Sequence, residues 1–298
     1  MKSTLESLIH PYLKSDFVKS YDKNTPFVVH DLKESIKALT DLPILKSINS
    51  IFELWTQDVD VCPSRISDEE GAIKLPTSEA KKQFEKGRVL LFNDVNTTSP
   101  VLKNWIERLR QDIGLSSLTY SRNLIYVTKE GGGTDTHFDQ NMNFIIQMHG
   151  TKKWWVAPNK NVENPLTRYT VGHPIDLELE AYSVNPMPKI MPHDATEFTL
   201  KPGSMLFVPR GSWHNTKSLT DSLSLNFTFS APTWIDIFST ALKGRLAQSP
   251  QWRETANYVS DSERSHEAIE KFNTLLRSLS NEAPYWKAED ILDAIETE

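Results

Sequence analysis

The sequence predicts a mainly β protein with flanking helices, on three observations. Between residues 119 and 232, short runs rich in β-branched and aromatic residues follow one another, separated by Gly, Pro and Asn. Two of these runs alternate polar and apolar residues, the period of a strand whose faces differ. From residue 233 onward, apolar residues recur at i, i+3 and i+4, the period of an amphipathic helix.

The elements follow in order. Residues 1–118 mix helix and strand and form an N-terminal α/β flank expected to pack on the β core. Within it, Pro26–Asp31 reads as a short strand and Arg88–Val95 as a buried one. Ser99–Leu115 reads as a helix. Ser99 stands at the N-cap, Pro100 at the first helical position and Gly114 at the stop. Val101, Leu102, Trp105, Ile106, Leu109 and Ile113 fall on one face. Residues 119–232 supply strands at Leu124–Thr128, Asn143–His149, Lys152–Ala157, Glu197–Lys201, Ser204–Pro209 and Ser222–Ser230. Strands at this spacing predict a sandwich or barrel. A Pro-rich loop from Pro158 to about Pro192 interrupts them, and long ordered loops in such folds often carry function. Residues 233–298 read as helices at Trp234–Gln248, Glu263–Leu279 and Lys287–Glu296. They either cover the barrel or pair with a second subunit.

Composition narrows the function. The 298 residues carry 33 Lys+Arg against 39 Asp+Glu, a net charge of −6. That balance disfavours non-specific nucleic-acid binding, which needs a basic field. Cys62 is the single cysteine, so neither an intrachain disulfide nor a Cys-rich zinc site can form. No signal-peptide core and no membrane-length apolar stretch are evident, so a cytoplasmic protein is expected.

The chemistry points to His137-Phe138-Asp139 and, far along the chain, His214. In a strand, residues i and i+2 project from one face, so an imidazole and a carboxylate at that spacing can converge on one ion. A distant His completes a set of two imidazoles and one carboxylate. Such a set occupies one face of an octahedron and leaves three positions open, the arrangement of non-haem iron(II) oxygenases. An isolated His-x-Asp is weak, since surface pairs and satisfied core histidines are common. Context strengthens it here. Gly131-Gly132-Gly133 precedes His137, and His214 follows the turn Pro209-Arg210-Gly211.

The segments THFDQNMNFIIQMHGTKKWW and LKPGSMLFVPRGSWHNT, with SLSLNFTF beyond, resemble the two signature stretches of JmjC-type, cupin-like oxygenases. That family includes asparaginyl and ribosomal-protein hydroxylases. The resemblance covers about residues 120–232 and implies a double-stranded β-helix (cupin or jelly-roll) core. It implies iron(II) on His137, Asp139 and His214, with 2-oxoglutarate and O₂ as co-substrates. The family places a lysine for the distal carboxylate of 2-oxoglutarate fifteen residues after the first His, which is Lys152 here. Alternation alone does not choose between Lys152 and Lys153. It does require that Trp154 and Val156 accompany Lys152. By the same resemblance, Thr134 and Tyr126 match hydroxyl donors to that carboxylate, and Asn143 and Asn226 match amides near the co-substrate. No catalytic group beyond the metal ligands is implied.

Alternation gives independent support for a polar interior. Continuing the His137–Asp139 face gives Asn141, Asn143, Ile145 and Gln147, opposite Met142, Phe144, Ile146 and Met148. In the last strand Ser222, Ser224, Asn226 and Thr228 share a face, opposite Leu223, Leu225, Phe227 and Phe229. The apolar faces are expected against helices or a second layer.

The expected activity is hydroxylation of an amino-acid side chain in a protein or peptide, with succinate and CO₂ as co-products. Two alternatives stand beside it: the same chemistry on a free amino acid or natural product, and a non-catalytic metal-binding protein of cupin-like fold. Demethylation of methyl-lysine ranks low, because no reader module or zinc finger accompanies the barrel. Neither a nucleic-acid nor a membrane partner is expected. The family analogy and the amphipathic C-terminal helices predict a homodimer.

Overall fold

A computed structural model describes residues 3–67, 69 and 71–296. These residues divide into two compact units: one up to residue 115 together with 120–230, the other 116–119 together with the chain from 231.

The larger unit is built on two antiparallel sheets. In chain order its strands are β1 (Phe27–Val29), β2 (Val59–Val61), β3 (Ile73–Leu75), β4 (Leu90–Phe92), β5 (Tyr120–Thr128), β6 (Gly133–Phe138), β7 (Met142–His149), β8 (Lys152–Ala157), β9 (Tyr169–Thr170), β10 (Thr196–Leu200), β11 (Met205–Val208), β12 (Trp213–Ser218) and β13 (Ser222–Ser230). One sheet has the order β1-β11-β7-β13-β5-β4-β2-β3, the other β10-β8-β12-β6-β9. From β5 to β8, and again from β10 to β13, successive strands alternate between the sheets. This is the winding of a double-stranded β-helix.

The N-terminal region extends the larger sheet at both edges. β1 pairs with β11, and β4 pairs with β5 and leads outward to β2 and β3. Its helices cover that sheet. The helix Pro100–Asp112 starts as its sequence requires: the Leu102 N–H donates to Ser99 Oγ, and Pro100 occupies the first turn. Its buried Leu102, Ile106 and Leu109 join Phe144, Ile146, Leu223, Leu225, Phe227 and Phe229 in the main core. Phe144 packs against Phe17, Phe207 and Phe229, with ring centroids 5.6, 4.9 and 6.1 Å away. Each such aromatic contributes about 1.5–3 kcal/mol by burial. The apolar faces of β7 and β13 therefore lie against helices, as their alternation requires. A second cluster, Ile145, Trp154, Val156, Leu200, Leu206 and Val208, fills the space between the sheets at one end. A third lies under the long loop, where Phe138 and Trp213 meet Val162 and Leu179. That loop is ordered by β9 and a short helix, Leu177–Ala181, capped by Asp176.

One expectation is corrected. The face running from His137 to Gln147 is not carried by a continuous strand. β6 ends at Phe138, and residues 139–141 carry the chain to the other sheet, where β7 begins at Met142. Parity restarts there. Asn143 and Ile145 still face the same interior, because β7 lines it from the opposite side. Gln147 turns to Ser224, whose hydroxyl donates to its Oε1 at 2.8 Å.

In the smaller unit, helices run Trp234–Leu246, Ser265–Glu282 and Ala288–Glu296. Thr233 and Asp236 form a capping box on the first. None of residues 231–293 is buried. No helix of the described residues is long and apolar enough to cross a membrane.

Candidate metal and co-substrate site

His137 lies on β6 and His214 on β12, and the two are register partners across that antiparallel pair. Cross-strand neighbours on one face stand close enough to touch, and the two ring centroids are 4.1 Å apart. A glycine permits this approach. A Cβ at Gly133, on β6, would stand 1.9 Å from the Thr216 carbonyl oxygen of β12. Asp139, one residue past the end of β6, brings Oδ2 to 3.8 Å from His137 Nε2 and 3.7 Å from His214 Nε2. Ligand atoms of the three side chains all lie within 4.8 Å of one another.

Both imidazoles are fixed in one tautomer. His137 Nδ1 lies 2.7 Å from the Asp135 carbonyl and His214 Nδ1 2.9 Å from that of Ser212. A carbonyl only accepts, so each Nδ1 carries the proton and each Nε2 presents its lone pair to Asp139. Burial pushes His214 down to about 4, helped by the neighbouring His137, so His214 is neutral and ready to donate at physiological pH. Burial works against the Asp139 carboxylate, but in the acid range where it titrates the imidazoles in their protonated form and Arg168 outweigh it and hold it below the usual carboxylate range.

A cavity of about 110 Å³ opens beside these three. Every residue singled out from the sequence lines it: His137, Asp139, His214, Lys152, Thr134, Asn143, Asn226 and Tyr126. Strand parity on β8 separates the two lysines. Lys152 is 2% exposed, with Trp154 and Val156 buried beside it, while Lys153 faces out and pairs with Glu197 at 2.6 Å. The Lys152 ammonium lies over the rings of Tyr126 and Trp154, 5.8 and 5.7 Å from their centroids. No described residue gives it an ion pair, and burial pushes it down to about 8. Thr134 Oγ1 and Thr216 Oγ1 are 3.0 Å apart. Thr228 donates to Asn143 Oδ1 at 2.6 Å. Asn226 Oδ1 and Trp154 Nε1 are buried without hydrogen-bond partners.

The comparisons with known proteins agree with this geometry. A family model described as the JmjC domain matches residues 102–237. The Bacillus subtilis protein YxbC is 32% identical over 98% of this chain and 91% of its own length. The chain belongs to the JmjC family of iron(II)- and 2-oxoglutarate-dependent oxygenases. Ribosomal oxygenase 2 from Rattus norvegicus is 28% identical over 81% of this chain, and the match spans 50% of that protein. A solved structure of the ribosomal oxygenase YcfD from Escherichia coli, in complex with cobalt and 2-oxoglutarate, has 19% identity. It superposes on 91% of this chain and 67% of its own, with a TM-score of 0.55.

Four residues of this JmjC site were not singled out from the sequence. Glu69 reaches in from the segment between β2 and β3 and accepts the Tyr126 hydroxyl hydrogen bond. Burial and that carboxylate together raise the Tyr126 phenol well above its ordinary range. Arg168, just before β9, brings Nε to 3.6 Å from Asp139 Oδ1. Arg122 lines the cavity from β5, and Thr216 from β12. All four are isolated charged or hydroxyl residues without a motif. The only signal available for Arg122 was parity, two and four residues before Leu124 and Tyr126 on one face. Trp154 belongs to the buried cluster between the sheets and also stacks on His214, centroids 5.9 Å apart with rings 18° from parallel.

Proposed function

We propose that the chain hydroxylates an amino-acid side chain in a protein or peptide, with iron(II) held by His137, Asp139 and His214. The observation that carries this reading is the meeting of two Nε2 lone pairs and one carboxylate at the wall of a cavity that also contains a buried lysine with no ion pair among the described residues. The donor set suits iron(II), since imidazole and carboxylate are its ligands in open, three-position sites. The cavity suits 2-oxoglutarate. A buried ammonium to which no described residue brings a carboxylate suits an external one, and the orphaned Asn226 and Trp154 atoms offer further bonding capacity.

Bound together, iron(II) and 2-oxoglutarate supply the activation of O₂ that hydroxylation requires, with succinate and CO₂ as co-products. The residues position and exclude. Lys152 takes the distal carboxylate, with the Thr134 hydroxyl beside it. Tyr126 keeps its proton and holds Glu69. The carbonyls of Asp135 and Ser212 hold the imidazoles in the ligating tautomer. Trp154 and the apolar cluster around it keep water from the metal side of β8.

A protein substrate is supported by the relatives named ribosomal oxygenase 2 and, from Escherichia coli, ribosomal protein uL16 3-hydroxylase, the latter 26% identical over 55% of this chain. The net charge of −6 favours a basic protein partner over nucleic acid. A reducing, cytoplasmic setting is supported by the cysteine count of one, the buried Cys62, which leaves no intrachain disulfide to form. A homodimer through the C-terminal helices is supported by Ile269, Phe272 and Leu276, which are 61%, 54% and 42% exposed along one face of the helix Ser265–Glu282. Purified protein incubated with iron(II), 2-oxoglutarate, O₂ and a ribosomal-protein mixture is expected to yield succinate and a substrate 16 Da heavier. Succinate without any modified peptide would remove the protein-substrate reading. No succinate and no metal binding would remove the oxygenase reading.

A further inference from the structure

The cavity carries five charged side chains among the described residues: Lys152, Arg122 and Arg168 against Asp139 and Glu69. Asp139 faces two imidazoles and Arg168. Glu69 is engaged by Tyr126. Lys152 is matched by the distal carboxylate of the co-substrate. Arg122 is different. Its Nε is buried without a hydrogen-bond partner, and no carboxylate or carbonyl among the described residues bonds its guanidinium. The ring it lies against is that of Tyr120, 5.9 Å away.

A partly desolvated guanidinium without a counter-charge is costly, and its planar fork matches a carboxylate in two parallel hydrogen bonds.

Position decides which carboxylate. Arg122, Leu124 and Tyr126 share the inner face of β5 at i, i+2 and i+4. Four residues of strand span about 13 Å, so Arg122 stands far along β5 from Tyr126 and the Lys152 ammonium that lies over it. Its register partner on β13 is Thr228, which donates to Asn143 at the start of β7, four residues past Asp139, so Arg122 stands at the end of the cavity where the chain leaves the metal ligands. The co-substrate carboxylate held at Lys152 cannot also reach it.

We propose, resting on the oxygenase reading, that Arg122 anchors the substrate through a carboxylate and so selects an acidic substrate group. The carboxylate belongs to a free amino acid, a peptide C-terminus or an Asp or Glu side chain, and the test separates these sources. The enzyme is loaded anaerobically with Mn(II) and 2-oxoglutarate. The probes are N-acetyl amino acids, their N-acetyl amides, N-acetyl-Asp-amide, N-acetyl-Glu-amide and free amino acids. Proton relaxation of each probe by the bound Mn(II) reports its approach to the metal. At least one carboxylate class binds tenfold or more tightly than its uncharged amide counterpart. The class that does so names the source. Arg122→Gln removes that preference, and Arg122→Lys, which keeps the charge, retains part of it. Equal binding of acids and amides, or no binding by any probe, overturns the proposal, as does a preference that survives in Arg122→Gln. A loss of 2-oxoglutarate affinity in Arg122→Gln, comparable with its loss of probe binding, assigns the residue to the co-substrate and overturns it too. Failure to bind Mn(II) and 2-oxoglutarate at all is a separate result, and it is the oxygenase reading that then falls.

Discussion

Replacing Lys152 with Met tests the co-substrate pocket with two effects of opposite sign. Without ligand, the ammonium is a burden. Burial lowers it from the ordinary 10.5 to about 8, and that difference corresponds to roughly 3 kcal/mol held against the folded state. Because the folded pKa lies below the unfolded one, the full penalty applies below pH 8. It is relieved as pH rises from 8 to 10.5, where the unfolded chain binds the proton and the folded one does not. Lys152→Met, close in volume, should therefore unfold at higher denaturant concentration than the parent at pH 7. The gap should be up to about 3 kcal/mol and should narrow between pH 8 and 10.5. With 2-oxoglutarate the sign reverses. A buried carboxylate that loses its charged partner costs about 3–5 kcal/mol, a weakening of between about a hundredfold and a few thousandfold. Lys152 is 2% exposed, so solvent screening does little to soften this. Denaturant unfolding across pH gives the first quantity, and calorimetric titration of 2-oxoglutarate into the Mn(II) protein gives the second. A variant that is less stable than the parent at pH 7, or that binds 2-oxoglutarate unchanged, would refute the assignment of Lys152.

Further outcomes follow from the same structure. His214→Ala or Asp139→Ala should lose stoichiometric Co(II), read by visible absorption after gel filtration, while far-UV circular dichroism stays unchanged; retained stoichiometry in either variant would sink the triad. Phe144→Ala should cost about 3–5 kcal/mol in urea unfolding, because its ring is enclosed by Phe17, Phe207 and Phe229 and the space cannot close. Phe272→Asp should halve the mass seen by light scattering if a second copy covers the exposed face of its helix, and an unchanged mass would exclude that face as the interface.

Much of the fold was legible because it depends on local period. The alternation on β13, and its restart on β7, showed which face of each strand meets the helices and which meets the cavity. Lys152 and Lys153 show how far this goes. Period two says that they differ, and the family spacing or the structure has to say which one is inside. The same reasoning overreached at His137–Gln147, because a turn that moves the chain to another sheet leaves no mark in the alternation. Glu69 against Tyr126 and Arg168 against Asp139 were out of reach for another reason. Each contact closes a long loop between residues with no pattern of their own, and a charged residue in a loop is usually solvated.

By itself, the sequence determined the residue types that can hold iron and the apolar faces that bury β7 and β13, since these follow from side-chain chemistry and a two-residue repeat. The tertiary structure decided that His137 and His214 are neighbours across β6 and β12, that the proton of each imidazole sits on Nδ1, and that none of the described residues gives Arg122 a counter-charge. Those are properties of register and of distance between remote segments, set by the pairing of whole strands rather than by any stretch of chain.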